Sequence, residues 1–187
     1  MTLEGCCQYE FVSRLGLMHV SAHKLEQDDR TMAKSLAVGD KAPNFSVATD
    51  GNGRNSLKDF SGRPLVLYFY PKDNTSGCTK EAIDFSSMAA KFKKLGVSVL
   101  GISKDSVTAH DKFKAKYELA VSLGSDPEGK VIESYGVWVE KSLYGRKYMG
   151  IERATFLIDS KGKISRIWRK VKVTGHAEEV LAQCKAQ

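Results

Sequence analysis

The residues best suited to chemistry surround one cysteine, Cys78, where a strand gives way to a helix. The apolar run 64–70 predicts a buried strand, and apolar residues at helical spacing follow over 82–92. Backbone N–H groups in the first turn of a helix have no intrahelical partner, and they stabilise a thiolate, the reactive form of cysteine. Residues 71–77 include no aliphatic side chain to bury the sulfur. The stretch therefore favours a reactive Cys78 over a buried structural one.

The elements that must position Cys78 alternate between strand and helix from Ala42 onward. Strands are predicted at 45–49, 65–70, 97–103, 153–159 and 163–169, and helices at 78–95, from about 105, at 131–135 and at 176–185. Strands 65–70 and 97–103, joined by helix 78–95, form a βαβ unit, and the late hairpin completes a mixed sheet. The pattern predicts an α/β, thioredoxin-like fold with a mixed central sheet and helices on both faces.

Residues 1–31 differ from the rest and predict an N-terminal helical extension to a domain spanning 32–187. Apolar residues at helical spacing, from Phe11 to Leu25, predict an amphipathic helix near 8–27 that packs on the body or on a second subunit. Met32 offers a second start, so an extension without an evolved role stays an equal alternative. His19 and His23 share a helical face but have no third ligand nearby, and no metal site is expected.

Composition narrows the functional classes. The net charge is +7; residues 1–31 hold three basic and five acidic residues, a net −2, which leaves +9 for the rest. The basic residues are dispersed, which favours a solvated surface over a nucleic-acid site. No apolar stretch reaches the roughly 20 residues of a membrane span. The four cysteines form no CxxC pair, which argues against a dithiol oxidoreductase and favours a reducing, cytoplasmic location.

The run Tyr70–Glu81 contains Pro71, Thr75 and Cys78 in the spacing PxxxTxxC and resembles the active-site motif of peroxiredoxins. The fuller run is similar to the bacterioferritin comigratory protein (PrxQ) subfamily. Further similar runs are 101–106, 110–113, 125–130, 135–138 and 147–159, and the resemblance as a whole covers about residues 33–184.

The resemblance implies that the Cys78 sulfur attacks the O–O bond of a hydroperoxide and becomes a sulfenic acid. The departing oxygen gathers negative charge, so donors aimed at it should contribute more than thiol ionisation alone. Arg153 is the implied donor beside the sulfur, while the Thr75 hydroxyl and the N–H groups of Gly77 and Cys78 hold the peroxide. Pro71 would shield the sulfur from water.

Helix position 81 is occupied by glutamate, which is expected either to orient Arg153 or to cap the helix. Ser76 stands where the subfamily usually has proline, which predicts a looser loop and reduced activity.

The chain departs from the subfamily at the position of the resolving cysteine, five residues after Cys78, where it has Ile83. A one-cysteine cycle with an external thiol is the leading hypothesis. Cys184, Cys6 and Cys7 are the alternative resolving residues, with a packing role favoured for Cys184.

The sequence thus predicts a thiol peroxidase that reduces hydrogen peroxide and organic hydroperoxides in antioxidant defence, without a bound cofactor. Thioredoxin, or glutathione with glutaredoxin, is the expected reductant, and a monomer or weak homodimer the expected assembly. The alternative is a non-enzymatic thioredoxin-fold protein acting as a holdase chaperone or a basic nucleic-acid binder.

Overall fold

The computed structural model describes residues 35–143 and 145–186. Its strands are β1 (Ser46–Thr49), β2 (Gly53–Ser56), β3 (Leu65–Phe69), β4 (Ser98–Ser103), β5 (Ser122–Ser125), β6 (Trp138–Leu143), β7 (Arg146–Ile151), β8 (Ala154–Ile158) and β9 (Ile164–Trp168). Its α-helices are α1 (Ser76–Ser87), α2 (Ala89–Lys94), α3 (Val107–Tyr117), α4 (Lys130–Ser134) and α5 (His176–Lys185). Two short 3-10 helices lie at Asp50–Asn52 and Leu57–Phe60.

Seven strands form one sheet in the order β2-β1-β5-β4-β3-β8-β9, and β6 pairs with β7 in a separate hairpin. The central strand β3 runs parallel to β4 and antiparallel to β8. The sheet is therefore mixed, as the sequence predicted. None of the helices in the described residues is long and apolar enough to cross a membrane.

Strand β3 is buried on both faces because its side chains alternate between two apolar clusters. Leu65, Leu67 and Phe69 join one cluster, and Val66 and Tyr68 join the other. Helix α4 packs on the first cluster, whereas the other four helices contribute to the second through Cys78, Ala82, Phe85, Phe92, Phe113, Ala177 and Val180. Helices thus cover both faces of the sheet, as predicted.

The single helix predicted over 78–95 is wrong in two respects. It begins two residues earlier, at Ser76, and it is divided at Met88, whose backbone (φ −103°, ψ 1°) leaves the helical region. The Ser87 hydroxyl donates to the carbonyl of Asp84 at 2.7 Å. Such a side-chain hydrogen bond competes with the helical backbone, which accounts for the end of α1.

Strand β5 and the β6–β7 hairpin were not predicted. Strand β5 reads Ser-Leu-Gly-Ser, which has too few apolar or β-branched residues to be distinguished from a turn. The hairpin is largely exposed along Arg146–Ile151, Tyr148 and Met149 included, so it lacks the alternation that marks a half-buried strand. The helix predicted near 8–27 lies outside the described residues, as do Cys6 and Cys7.

Candidate active site

Cys78 lies in the first turn of α1, directly after the loop that leaves the end of β3. Thr75 is the N-cap residue with extended backbone (φ −86°, ψ 149°), and Ser76 begins the helix. The Cys78 side chain is 2% exposed. The free N–H groups and the positive end of the helix dipole therefore act on a sulfur that is largely removed from water, where electrostatic interactions are stronger.

Arg153 approaches the sulfur from a strand distant in sequence. Its Nη2 donates to Sγ of Cys78 at 3.1 Å. The position follows from the sheet register: Phe69 pairs with Ala154, so Arg153 lies beside the end of β3 where the chain turns toward Cys78. The guanidinium side chain is 15% exposed, which leaves it close to solvent and fixed by its neighbours.

Glu81 holds the other branch of the guanidinium. It lies one turn after Cys78 on α1, is 1% exposed, and its Oε2 accepts from Nη1 of Arg153. Burial raises the pKa of Glu81 to about 7, although the Arg153 charge opposes that rise. Burial opposes the charge on Arg153, but Glu81 and the Cys78 sulfur raise the net pKa of Arg153 above its ordinary value.

Gly77 brings backbone against this guanidinium. A Cβ added at Gly77 would lie 3.4 Å from Nη2 of Arg153, in van der Waals contact with the atom that bonds the sulfur. The first turn of α1 and the guanidinium therefore lie side by side at Gly77. Cys78, Arg153, Gly77 and Glu81 form one connected group.

Thr75 and Pro71 lie in the same loop but on its solvent side. The Thr75 hydroxyl donates to the carbonyl of Lys72 at 3.2 Å, and both Thr75 and Pro71 are exposed. The Thr75 hydroxyl oxygen keeps its lone pairs for a bound molecule, but its proton is engaged within the loop.

Tyr68 is a neighbour of the site to which sequence reasoning gave no role. Its buried hydroxyl has no hydrogen-bond partner among the described residues. Burial raises the pKa of Tyr68 well above its ordinary value, and the negative charges of Glu81, Asp73 and Cys78 add to the effect. Gly101 makes room for the ring, since a Cβ there would lie 2.4 Å from Cζ of Tyr68. The phenol thus stays neutral and packs in the same apolar cluster as Cys78.

The candidates for a resolving role are differently placed. Ile83 is 42% exposed on α1. Cys184 on α5 is half-buried and packs against the same apolar cluster that contains Cys78. Burial raises the pKa of Cys184 to about 11, which makes it a poor nucleophile at neutral pH. The described residues contain no group of three His, Cys, Asp or Glu side chains arranged to hold a metal ion.

Comparison with known proteins decides the class of chemistry. The model of the AhpC/TSA family matches residues 38–167. A Bcp-type protein from Coxiella burnetii is 54% identical over 149 residues, covering 80% of this chain and 99% of the relative. The chain belongs to the AhpC/TSA family.

Two further relatives agree on the subfamily. Peroxiredoxin Bcp of Bacillus subtilis is 44% identical over 151 residues, covering 81% of this chain and 96% of the relative. A structure of the Xanthomonas campestris bacterioferritin comigratory protein, solved in a study of its alkyl peroxide reduction activity, superposes with a TM-score of 0.73. It is 44% identical and covers 76% of this chain and 90% of that one.

These matches confirm the resemblance to the Bcp/PrxQ peroxiredoxins and the thioredoxin-like fold. The chain is a thiol peroxidase, and the alternative of a non-enzymatic holdase or nucleic-acid binder is not supported.

Proposed function

We propose that Cys78 is the peroxidatic residue and that Arg153 stabilises the charge that develops during its reaction. The 3.1 Å contact from Nη2 of Arg153 to Sγ of Cys78 carries this assignment. The thiolate attacks the terminal oxygen of the hydroperoxide, so that an S–O bond forms as the O–O bond breaks. Cys78 becomes a sulfenic acid, and the departing oxygen takes a proton to leave as water or an alcohol.

The remaining motif residues are proposed to hold the peroxide in line with the sulfur. Gly77 supplies backbone beside the guanidinium, and the Thr75 hydroxyl oxygen can accept from the peroxide O–H. Pro71 offers no N–H that would compete for the peroxide. Glu81 orients Arg153, since a guanidinium bonded through Nη1 presents its Nη2 in a fixed direction.

The catalytic cycle is proposed to use one cysteine. Ile83 occupies the position of the usual resolving residue. Burial raises the pKa of Cys184 to about 11, which weakens the alternative that Cys184 is the resolving residue. An external thiol then attacks the sulfenic sulfur, releasing water and forming a mixed disulfide. A second thiol cleaves that disulfide and restores Cys78.

Small hydroperoxides are the proposed substrates, with hydrogen peroxide included. The alkyl peroxide reduction activity of the Xanthomonas campestris relative supports this class. Thioredoxin, or glutathione with glutaredoxin, is the proposed reductant, with no bound cofactor. We further propose a cytoplasmic location, because the two described cysteines are free thiols suited to a reducing compartment. The proposed assembly is a monomer or a weak homodimer.

Mass spectrometry after one equivalent of hydrogen peroxide, with a sulfenic-acid trap, tests the cycle. We expect the trap on Cys78 in the wild type and in Cys184→Ser alike. A disulfide from Cys78 to Cys184, Cys6 or Cys7 would overturn the one-cysteine cycle while leaving Cys78 peroxidatic. Supplying thioredoxin and glutathione separately then identifies the reductant by the rate of peroxide consumption.

A further inference from the structure

Asp73 is a buried carboxylate in an otherwise exposed loop. It is 5% exposed, whereas Lys72 and Asn74 on either side are exposed. Its Oδ1 accepts from the Tyr70 hydroxyl at 2.8 Å, and its Oδ2 lies 2.8 Å from Nδ1 of His110. The loop of residues 71–75 is therefore fastened to the end of β3 and to α3 through one side chain.

The backbone of Asp73 is fastened as well. Its N–H donates to Oδ2 of Asp105 at 2.9 Å, and that same oxygen accepts from the Ser103 hydroxyl at 2.8 Å. Asp105 lies between β4 and α3, so three separate parts of the fold converge on Asp73.

The chain runs from Asp73 through a single turn into the start of α1. The next residue, Asn74, has φ 58°, a left-handed conformation that asparagine tolerates better than most residues. This turn directs the chain to the N-cap Thr75 and so to Cys78 in the first helical turn.

His110 provides an independent indication that the contact matters. Its side chain is 0% exposed, and its Nε2 has no hydrogen-bond partner among the described residues. A buried, unpartnered polar atom is unfavourable. An apolar residue at position 110 would have no unpartnered polar atom to bury. What histidine adds at this position is therefore the Nδ1 bond to Asp73.

We propose that the Asp73–His110 pair is a positioning device for the peroxidase site, holding loop 71–75 so that Cys78 meets Arg153 and the Thr75 hydroxyl. This proposal rests on the assignment of Cys78 as the peroxidatic residue. Neither Asp73 nor His110 touches the sulfur; they act through the loop. Losing the pair frees the first turn of α1 and separates the sulfur from the guanidinium.

The test compares four variants by stopped-flow oxidation with excess hydrogen peroxide and by urea unfolding. His110→Leu removes the bond, and we expect Cys78 to be oxidised at least about tenfold more slowly, the scale of one hydrogen bond to a charged group. His110→Asn places an amide nitrogen near the position of Nδ1 and should restore the rate to within about threefold of wild type. Tyr70→Phe removes only a hydroxyl and should slow the reaction by about threefold to tenfold.

Phe113→Leu, at a buried position of the same helix whose side chain cannot hydrogen-bond to the loop, is the control for lost stability. It should lower the urea midpoint as much as His110→Leu does and leave the oxidation rate near that of wild type. Equal slowing in Phe113→Leu and His110→Leu, or a wild-type rate in His110→Leu, would overturn the proposal.

Hydrogen exchange over residues 71–78 separates this proposal from the assignment of Cys78. His110→Leu should exchange these amides at least about tenfold faster, and Phe113→Leu should not. If His110→Leu exchanges faster but peroxide never oxidises Cys78 in the wild type, the assignment of Cys78 is overturned while the loop contact stands. Unchanged exchange in His110→Leu would overturn the loop contact whatever the peroxidase result.

Discussion

Nη2 of Arg153 donates to Sγ of Cys78 at 3.1 Å while Nη1 of the same guanidinium is bonded to Glu81. The two residues of the reacting pair are 75 positions apart and are joined by the antiparallel pairing of β3 with β8. The donor is thus preset at the sulfur before peroxide arrives, so that little reorganisation is needed as the O–O bond breaks.

Arg153→Lys should slow the oxidation of Cys78 by about a hundredfold or more, the usual loss when a preorganised donor to a developing anion is removed. Lysine keeps the charge but cannot bond Glu81 and the sulfur through two nitrogens of one planar group. Stopped-flow oxidation of the reduced protein measures the effect. Arg166→Lys, at an exposed position on β9, is the matched control and should keep the wild-type rate.

Glu81→Gln should change how stability depends on pH. The folded-state pKa of Glu81 is about 7, above its ordinary value of 4.5, because burial disfavours the carboxylate. Glu81 therefore contributes stability below about pH 4.5, and this contribution is lost as pH rises through about 7. Between pH 5 and 8 the wild type should lose up to about 3 kcal/mol relative to Glu81→Gln in urea unfolding. Parallel pH profiles of unfolding free energy for the wild type and Glu81→Gln would contradict a raised pKa of the buried Glu81 carboxyl.

His176→Gln should change how stability depends on pH on the acid side, between about pH 6.5 and 4. The buried imidazole bonds Thr155 through Nε2 at 2.8 Å, and burial lowers the pKa of His176 from 6.5 to about 4. The neutral ring contributes its full stability above about pH 6.5, and this is lost as pH falls toward 4. The wild type should lose about 2 kcal/mol or less relative to His176→Gln over that range in urea unfolding. An equal acid sensitivity in both proteins would show that His176 is not the group responsible.

Ile83→Cys should create a disulfide with Cys78 after oxidation, at the expense of helix. Five residues along an α-helix span about 7.5 Å, beyond the reach of a disulfide without backbone movement. We expect one equivalent of peroxide to produce the disulfide together with a loss of helical circular dichroism in this variant and not in the wild type. A persistent sulfenic acid in Ile83→Cys would mean that α1 does not unwind in the oxidised protein.

Several features of the site were accessible from the sequence because they depend on local patterns. The polar run 71–77 between a buried strand and a helix predicted that Cys78 lies at the start of that helix. The similarity around 147–159 indicated Arg153 as the donor beside the sulfur. The uninterrupted apolar run 64–70 also predicted the strand buried on both faces, which is β3.

Other features depend on contacts between distant residues and leave no local signal. His110 and Asp73 are 37 positions apart, and each by itself reads as a surface residue. Tertiary context overrides the local pattern at this pair. The division at Met88 and the β6–β7 hairpin were missed for local reasons instead. The Ser87 hydroxyl bonds the Asp84 carbonyl within one turn, and the exposed hairpin lacks the alternation of a half-buried strand.

The Cys78 sulfur is proposed to cleave the peroxide bond. Hydrogen peroxide consumption by wild type, Cys78→Ser and Cys184→Ser, each with a thiol reductant in excess, tests it most directly. We predict that Cys78→Ser consumes no peroxide above the reductant alone and that Cys184→Ser matches the wild type. Turnover by Cys78→Ser at the wild-type rate would contradict the assignment.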